Sequence, residues 1–171
     1  MRASNGGAQV KNAPPRTINA ADIALPPGYK AEAVAMGLTF PSGLTFDDAG
    51  NMFVVETGYT YGEVWDNPRL LQVENNGNTK VIATGTQNGP WNGVTWYEGA
   101  FYVAEGGQRE GGRILRITKD GNITALISNL PTVGDHHTNG PVIKDGYIYF
   151  STGTATNSGI VGTDNADFGW L

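Results

Sequence analysis

The chain repeats a pattern of short apolar runs and tight turns, and this repeat constrains its fold more than any other feature. The clearest copies begin at Arg69 and Arg113, 44 residues apart, and read RLLQVENNGN and RILRITKDGN. In both copies an Asn-Gly or Asp-Gly pair separates two apolar runs, which is typical of a β-hairpin. An ordinary β-sandwich has no reason to repeat its sequence, so the pattern favours a repeat architecture.

A second set of matching segments precedes these hairpins. The segments begin at Gly43, Gly93 and Gly140, and each has a strand-like run, a turn with glycine and a run rich in β-branched and aromatic residues. Four strands per unit at a spacing of about 40–50 residues are typical of a propeller blade. The sequence therefore predicts an all-β fold, a β-propeller of four-stranded antiparallel blades, with about two and a half blades present.

The repeat divides the chain into a tail and a partial propeller. Residues 1–17 are polar and lack an apolar signal core, so we predict a flexible tail. The predicted propeller covers residues 18–171, with an orphan outer strand at 29–37, blades at 43–86 and 93–129, and a partial blade at 140–171. Propellers close with about four to eight blades. We therefore expect a fragment of a larger ring; assembly with other chains and an open stack of sheets are the alternatives.

Composition excludes several classes of function. The chain of 171 residues has no cysteine, which rules out disulfides, thiol catalysis and cysteine-ligated zinc. Its formal charge is −5 and its basic residues are scattered, so a nucleic-acid partner is not expected. No apolar run is long enough to predict a membrane-spanning helix.

One loop breaks the repeat and carries both histidines of the chain. Where the first two units have FPSG at 40–43 and PWNG at 90–93, the third has DHHTNG at 135–140. In a four-stranded meander this loop lies at the mouth of the central channel, on the rim that also carries the long, divergent loops. Histidine can accept a proton near neutral pH and an adjacent aspartate can orient it, so Asp135, His136 and His137 are candidate catalytic residues. Two neighbouring strand residues point opposite ways, and we predict no metal ligands here.

A glutamate and an arginine also recur on this rim. Glu56 and Glu105 end equivalent strands, and Arg69 and Arg113 begin the strands that follow. Because they recur, we predict that both pairs are structural.

Two stretches of the chain resemble a known family. The first is LPPGYK at 25–30 with GLTFPSGLTFDDAGNMFVVETG at 37–58, and the second is LPTVGDHHTNG at 130–140 with DGYIYFSTG at 145–153. They are similar to the opening and the third-blade signature of glucose/sorbosone dehydrogenases, six-bladed propellers that use pyrroloquinoline quinone (PQQ). The similarity spans about residues 24–171.

The resemblance implies a quinoprotein that oxidises a hydroxyl of an aldose or sorbosone-type sugar. His136 matches the family's general base best, His137 is the next candidate, and Asp135 would orient the base. The resemblance further implies that Asn139, Thr154 and Asn157 contact the cofactor, that PQQ is bound with Ca²⁺, and that a periplasmic or secreted parent passes electrons to an acceptor such as a cytochrome.

The sequence departs from the family at two places. Soluble members carry an arginine soon after the histidine and an acidic residue after the next strand's glycine, where this chain has NGP at 139–141 and GTA at 153–155. Most residues that hold the quinone's carboxylates, and the calcium site, lie in later blades of the family. Two alternatives stay open: a non-catalytic propeller that binds ligands or proteins on its aromatic rim, and a metal-dependent lactonase- or lyase-like propeller with Glu56 and Glu105 as donors.

Overall fold

The computed structural model describes residues 19–58, 66–107, 109–132 and 136–154, which form ten strands and one short 3-10 helix at Ala20–Asp22. The strands of the first sheet are β1 (Pro41–Phe46), β2 (Met52–Glu56), β3 (Arg69–Val73) and β4 (Thr79–Thr84). Those of the second are β5 (Trp91–Tyr97), β6 (Ala100–Glu105), β7 (Gly112–Thr118) and β8 (Ile123–Leu130). The third sheet has β9 (Thr138–Lys144) and β10 (Tyr147–Thr152).

Each sheet is an antiparallel meander in which strand order follows chain order. The first strands of the sheets lie next to one another, β1 beside β5 and β5 beside β9. The structure therefore confirms the predicted all-β fold, with two complete four-stranded blades and the first two strands of a third. We call these units blade one, blade two and blade three.

Turn residues fix the hairpins that close each blade. Gly77 follows Asn76 between β3 and β4 with a φ of 81°, and Gly121 follows Asp120 between β7 and β8 with a φ of 88°. Glycine adopts this left-handed backbone readily because it has no Cβ to clash. The recurring Asn-Gly and Asp-Gly pairs therefore place equivalent turns in blades one and two.

A single apolar cluster joins blades one and two. Phe101 of β6 is fully buried at the contact, and its ring centroid lies 4.4 Å from that of Phe53 and 4.7 Å from that of Trp96. The other buried members are Val55, Leu70, Ala83, Trp91, Val94, Val103, Leu115 and Ile117. The hydrophobic effect thus holds neighbouring blades face to face, as well as each sheet to itself.

Polar contacts between first strands form a second link, which we call the seam. Ser42 Oγ donates to the Trp91 carbonyl at 2.7 Å, and Asn92 Nδ2 donates to the Thr138 carbonyl at 3.3 Å. Thr95 Oγ1 donates to the Pro141 carbonyl at 2.7 Å. In these three bonds the donor is a side chain and the acceptor is a main-chain oxygen of the next blade. In a fourth, the Trp96 amide donates to Thr45 Oγ1 of blade one at 3.0 Å.

Glycines allow the first strands to approach closely enough for the seam. A Cβ added to Gly43 would lie 2.9 Å from the Cα of Gly93, and one added to Gly93 would lie 2.2 Å from the Gly140 carbonyl oxygen. Both distances are far below ordinary van der Waals contact, so larger residues at these positions would push the blades apart. Gly43 and Gly93, which open the first two sequence units, are therefore packing residues.

The N-terminal part of the described chain differs from the expectation of an orphan strand. Residues 29–37 form no strand in the structure, and Tyr29, Val34 and Met36 are exposed. An outer strand needs a neighbouring strand to pair with, and residues 29–37 pair with none of the ten described strands. The role of this segment in completing another blade stays a prediction.

Both end faces of the three-blade stack expose apolar side chains. Leu44 and Phe46 of β1 are exposed on blade one, and Val142, Tyr147 and Tyr149 are exposed on blade three. No helix among the described residues is long and apolar enough to span a membrane.

Candidate functional site

The recurring glutamate and arginine form an ion pair inside blade one. Arg69 donates from Nε and Nη2 to Glu56 Oε2 at 2.8 and 2.5 Å, and the Thr39 amide donates to Glu56 Oε1 at 2.7 Å. The Glu56 side chain is only 3% exposed. Register explains the pair, because Glu56 lies directly opposite Arg69 in the β2–β3 ladder.

The equivalent pair in blade two has more partners. Glu105 faces Arg113 across β6 and β7, and Arg113 Nη1 lies 3.2 Å from Glu105 Oε2. Asn88 Nδ2 donates to Glu105 Oε2 at 2.8 Å, and Trp91 Nε1 donates to Oε1 at 3.4 Å. Both glutamate–arginine pairs thus form ion pairs within their own blades, as expected of structural residues.

The two histidines lie together at the rim of blade three. They line an open cavity of about 490 Å³, and the remaining residues of its wall are Asn92, Asn139, Ser151, Thr152 and Gly153. The wall combines the start of β5 and β9 with the end of β10, so two blades build it. We call this the histidine cavity.

Two glycines leave room for the imidazole-bearing residues. A Cβ added to Gly153 would lie 2.3 Å from the Cβ of His136, and one added to Gly106 would lie 3.0 Å from both Cβ and Cγ of His137. The Gly153 amide donates to the His137 carbonyl at 3.2 Å, which anchors the backbone that follows His137. Blade two, through Gly106, therefore helps to position a side chain of blade three.

The two histidines differ in their electrostatic setting. The pKa of His137 is lowered to about 4, mainly by burial and also by the nearby His136, while a hydrogen bond to the Gly106 backbone acts in the opposite direction. His137 is therefore a neutral imidazole at pH 7. A base whose conjugate acid has a pKa far below the working pH is a weak proton acceptor.

The other predicted site residues divide into three groups. Asn139 lines the histidine cavity, and its Nδ2 donates to the His137 carbonyl at 2.8 Å. Thr154 is exposed and follows Gly153, but it does not line the cavity. Asp135 and Asn157 lie outside the described residues, as do most of the long rim loops that carry Tyr59, Tyr61 and Trp65.

Sequence reasoning did not identify Asn92, Gly106 or Gly153 as part of the site. One signal was available, because Asn92 and Asn139 both stand one residue before the glycine that opens a unit. In the structure Asn92 is a seam donor to blade three, which is why it reaches the histidine cavity.

The described residues do not provide a metal centre of the usual kind. Within residues 19–58, 66–107, 109–132 and 136–154, no three His, Cys, Asp or Glu side chains come together as a group that could hold a metal ion. Glu56 and Glu105 lie in different blades and each is occupied by an arginine.

Comparisons with known proteins show which solved fold the chain resembles. No family model matches the chain, and no curated protein matches it by sequence. Among solved structures, the PQQ-bound form of aldose sugar dehydrogenase from Streptomyces coelicolor matches with a TM-score of 0.55 and 17% sequence identity. The match covers 75% of this chain and 42% of that chain, so this chain spans less than half of its structural neighbour. The chain thus shares its fold with part of a propeller dehydrogenase.

Proposed function

We propose that the chain is part of a PQQ-dependent sugar dehydrogenase, in which it supplies the base that removes the hydroxyl proton of the sugar. The observation that carries this proposal is the histidine cavity, where His136 and His137 lie together in a fold shared with part of a sugar dehydrogenase. An exported parent protein and an electron acceptor such as a cytochrome belong to the same proposal.

The proposed reaction oxidises a carbinol to a carbonyl. When bound, the quinone would accept the hydride from the carbinol carbon. His136 would take the hydroxyl proton on an imidazole nitrogen, while the C–O single bond becomes a double bond. His136 is the better base because burial leaves His137 with a pKa of about 4.

The residues present fit the substrate better than they fit the whole cofactor. Asn92, Asn139 and Ser151 offer amide and hydroxyl groups that can bind sugar hydroxyls. The described wall of the histidine cavity has no lysine or arginine, so it offers no cation to a carboxylate-bearing quinone. The basic residues and the Ca²⁺ ligands would have to come from parts of the protein beyond the described residues.

The test is a dye-reduction assay on the full-length protein loaded with PQQ and Ca²⁺. We expect sugar-dependent reduction of an artificial electron acceptor, and a fall in kcat of about 10²- to 10⁴-fold in His136→Ala. Asn75→Ala, in an exposed turn on the opposite rim, is the control and should retain full activity. Absence of sugar-dependent dye reduction, or full activity in His136→Ala, would overturn the proposal.

A further inference from the structure

A half-buried imidazole lies beside the proposed base and has no part in the proposed proton transfer. His137 is adjacent to His136, and its pKa of about 4 makes it a weak proton acceptor at neutral pH. Its ring nevertheless forms a hydrogen bond with the backbone of Gly106, in blade two. The bond raises the pKa of His137, which is the effect of a ring N–H that donates to a carbonyl oxygen. This contact joins the histidines of blade three to the neighbouring blade.

Gly106 is a fixed point of blade two. It directly follows the buried Glu105 at the end of β6, and its amide donates to the Pro90 carbonyl at 2.6 Å. A Cβ on Gly106 would lie 2.6 Å from Cδ of Pro90 and 3.0 Å from Cβ of His137. There is no room for a side chain between these two neighbours, so the Gly106 backbone itself contacts His137.

The Gly106 carbonyl also accepts from a second side chain. Thr132 Oγ1 donates to this oxygen at 2.6 Å, and Thr132 is fully buried. Thr138 is fully buried as well, and its Oγ1 lies 3.5 Å from Thr132 Oγ1, at the long limit of a hydrogen bond. Thr132 precedes the two histidines in the chain and Thr138 follows them. The two hydroxyls therefore hold the chain against blade two on both sides of the histidines.

Gly112, at the start of β7, leaves the space that the two hydroxyls occupy. A Cβ added to it would lie 2.1 Å from Thr138 Oγ1 and 2.5 Å from Thr132 Oγ1. We call Thr132, Thr138 and the Gly106 carbonyl the hydroxyl clamp. Of the described residues that line the histidine cavity, none belongs to the clamp. The clamp therefore acts on the site from behind its wall.

The contact between blades one and two is built differently. The carbonyl of Thr57 is the counterpart of the Gly106 carbonyl, since both residues follow the recurring glutamate, and it accepts from the main-chain amide of Trp91 at 3.3 Å. The residue three places before the glycine that opens a unit is Pro90 in blade two and His137 in blade three. Proline has no side-chain donor. The imidazole contact to blade two thus belongs to the third unit, where the repeat is broken.

We propose that His137 is a positioning residue rather than a second base, and that the hydroxyl clamp orients His136 through it. With its ring held by Gly106, His137 fixes the backbone that carries His136. That backbone has little freedom on its other side, because a Cβ on Gly153 would lie 2.6 Å from the carbonyl carbon and oxygen of His136. A displacement of about 1 Å in a catalytic group can cost about 10²-fold in rate. The positioning role rests on the proposed function, because it takes His136 as the base, whereas the clamp is tested without it.

The clamp is tested by NMR on the ¹⁵N-labelled full-length protein without cofactor or sugar. We expect a ring N–H signal of His137 that exchanges slowly with water, assigned by its absence from His137→Gln. Thr132→Val removes the hydroxyl at nearly constant shape and should speed this exchange by about 10-fold, as loss of one hydrogen bond implies, while Thr132→Ser should restore it. Thr124→Val, the same substitution at an exposed position of β8, is the control. Free exchange of the His137 ring N–H in the unmodified protein, or an unchanged rate in Thr132→Val, contradicts the clamp.

The positioning role is tested by dye reduction on the same variants loaded with PQQ and Ca²⁺. Thr132→Val should lower kcat by about 10- to 100-fold and leave KM within about 2-fold, because Thr132 is not part of the cavity wall, and Thr132→Ser should regain most of the rate. Where Thr132→Val does not fold, Thr138→Val removes the other hydroxyl and gives the same test. An undiminished kcat refutes the positioning role and leaves the proposed function intact. If the unmodified protein reduces no dye although its His137 ring N–H is protected, the proposed function fails and the clamp stands.

Discussion

Replacing Glu105 by glutamine should destabilise the fold far more than the same change at Glu56. The two residues hold equivalent positions, and both side chains are 3% exposed. Their partners differ, since Glu105 accepts from Asn88, Trp91 and Arg113, whereas Glu56 accepts from Arg69 and one backbone amide. A glutamine presents one acceptor and one donor group where three donors converge.

The size of the effect follows from the burial of the donors. Trp91 is fully buried, with a relative exposure of 0%. If residue 105 no longer accepted its hydrogen bond, the indole N–H of Trp91 could not reach water instead. Leaving one such buried donor unpaired costs about 1–3 kcal/mol, and losing the charge on a buried ion pair adds to that cost. We expect Glu105→Gln to lower the free energy of unfolding by about 3–4 kcal/mol. The Arg69 side chain is 41% exposed and can be hydrated, so Glu56→Gln should cost about 1 kcal/mol.

Urea unfolding followed by tryptophan fluorescence measures both variants on one scale. The midpoints should differ while the dependence on urea stays the same, since the surface exposed on unfolding is unchanged. If the two variants lose equal stability, the partners of the carboxylate do not determine its contribution, and the comparison of the two blades fails.

Three further predictions concern the seam and the pH dependence of stability. Gly93→Ala should open the contact between blades and destabilise the chain by about 2 kcal/mol or more, seen in the urea midpoint, because the added Cβ has no space beside Gly140. In the folded chain His137 has a pKa of about 4, below the value of about 6.5 in the unfolded chain, so the unfolded chain binds the proton at a higher pH. As the pH falls from about 6.5 to 4, the free energy of unfolding should fall by about 2–3 kcal/mol, and His137→Gln should not show this loss. Hydrogen bonds from Asn51 and then Lys119 lower the pKa of Asp47, so Asp47→Asn should cost about 1–3 kcal/mol at pH 7 and progressively less below pH about 4, as thermal melts at several pH values would show.

The fold could be predicted because its information is local. Asn76 with Gly77 and Asp120 with Gly121 define hairpins within a few residues, and the 44-residue shift relates one blade to the next. The unpaired state of residues 29–37 and the exposed end faces could not be predicted, because both depend on which strands lie nearby. Sequence periodicity does not contain that information.

The candidate site could be predicted only in part. His136 and His137 were identified because they interrupt a repeat, which is a signal within one segment of sequence. Gly106 and Asn92 belong to blade two and reach the histidine cavity across the seam, so their role appears only once the blades are packed. When a residue of a neighbouring unit completes the site, the sequence of each unit taken by itself does not identify that residue.

The seam has a consequence for how such chains can change over evolutionary time. Three of its acceptors are the main-chain carbonyls of Trp91, Thr138 and Pro141, which every amino acid provides in the same place on a strand. A unit that keeps its small donor side chain and its glycine can therefore keep these hydrogen bonds when other side chains of the neighbouring first strand change. Duplication or exchange of whole units would preserve the hydrogen bonds of the seam while the rim loops diverge. New binding surfaces could therefore arise from the loops while the packing of the units stays the same.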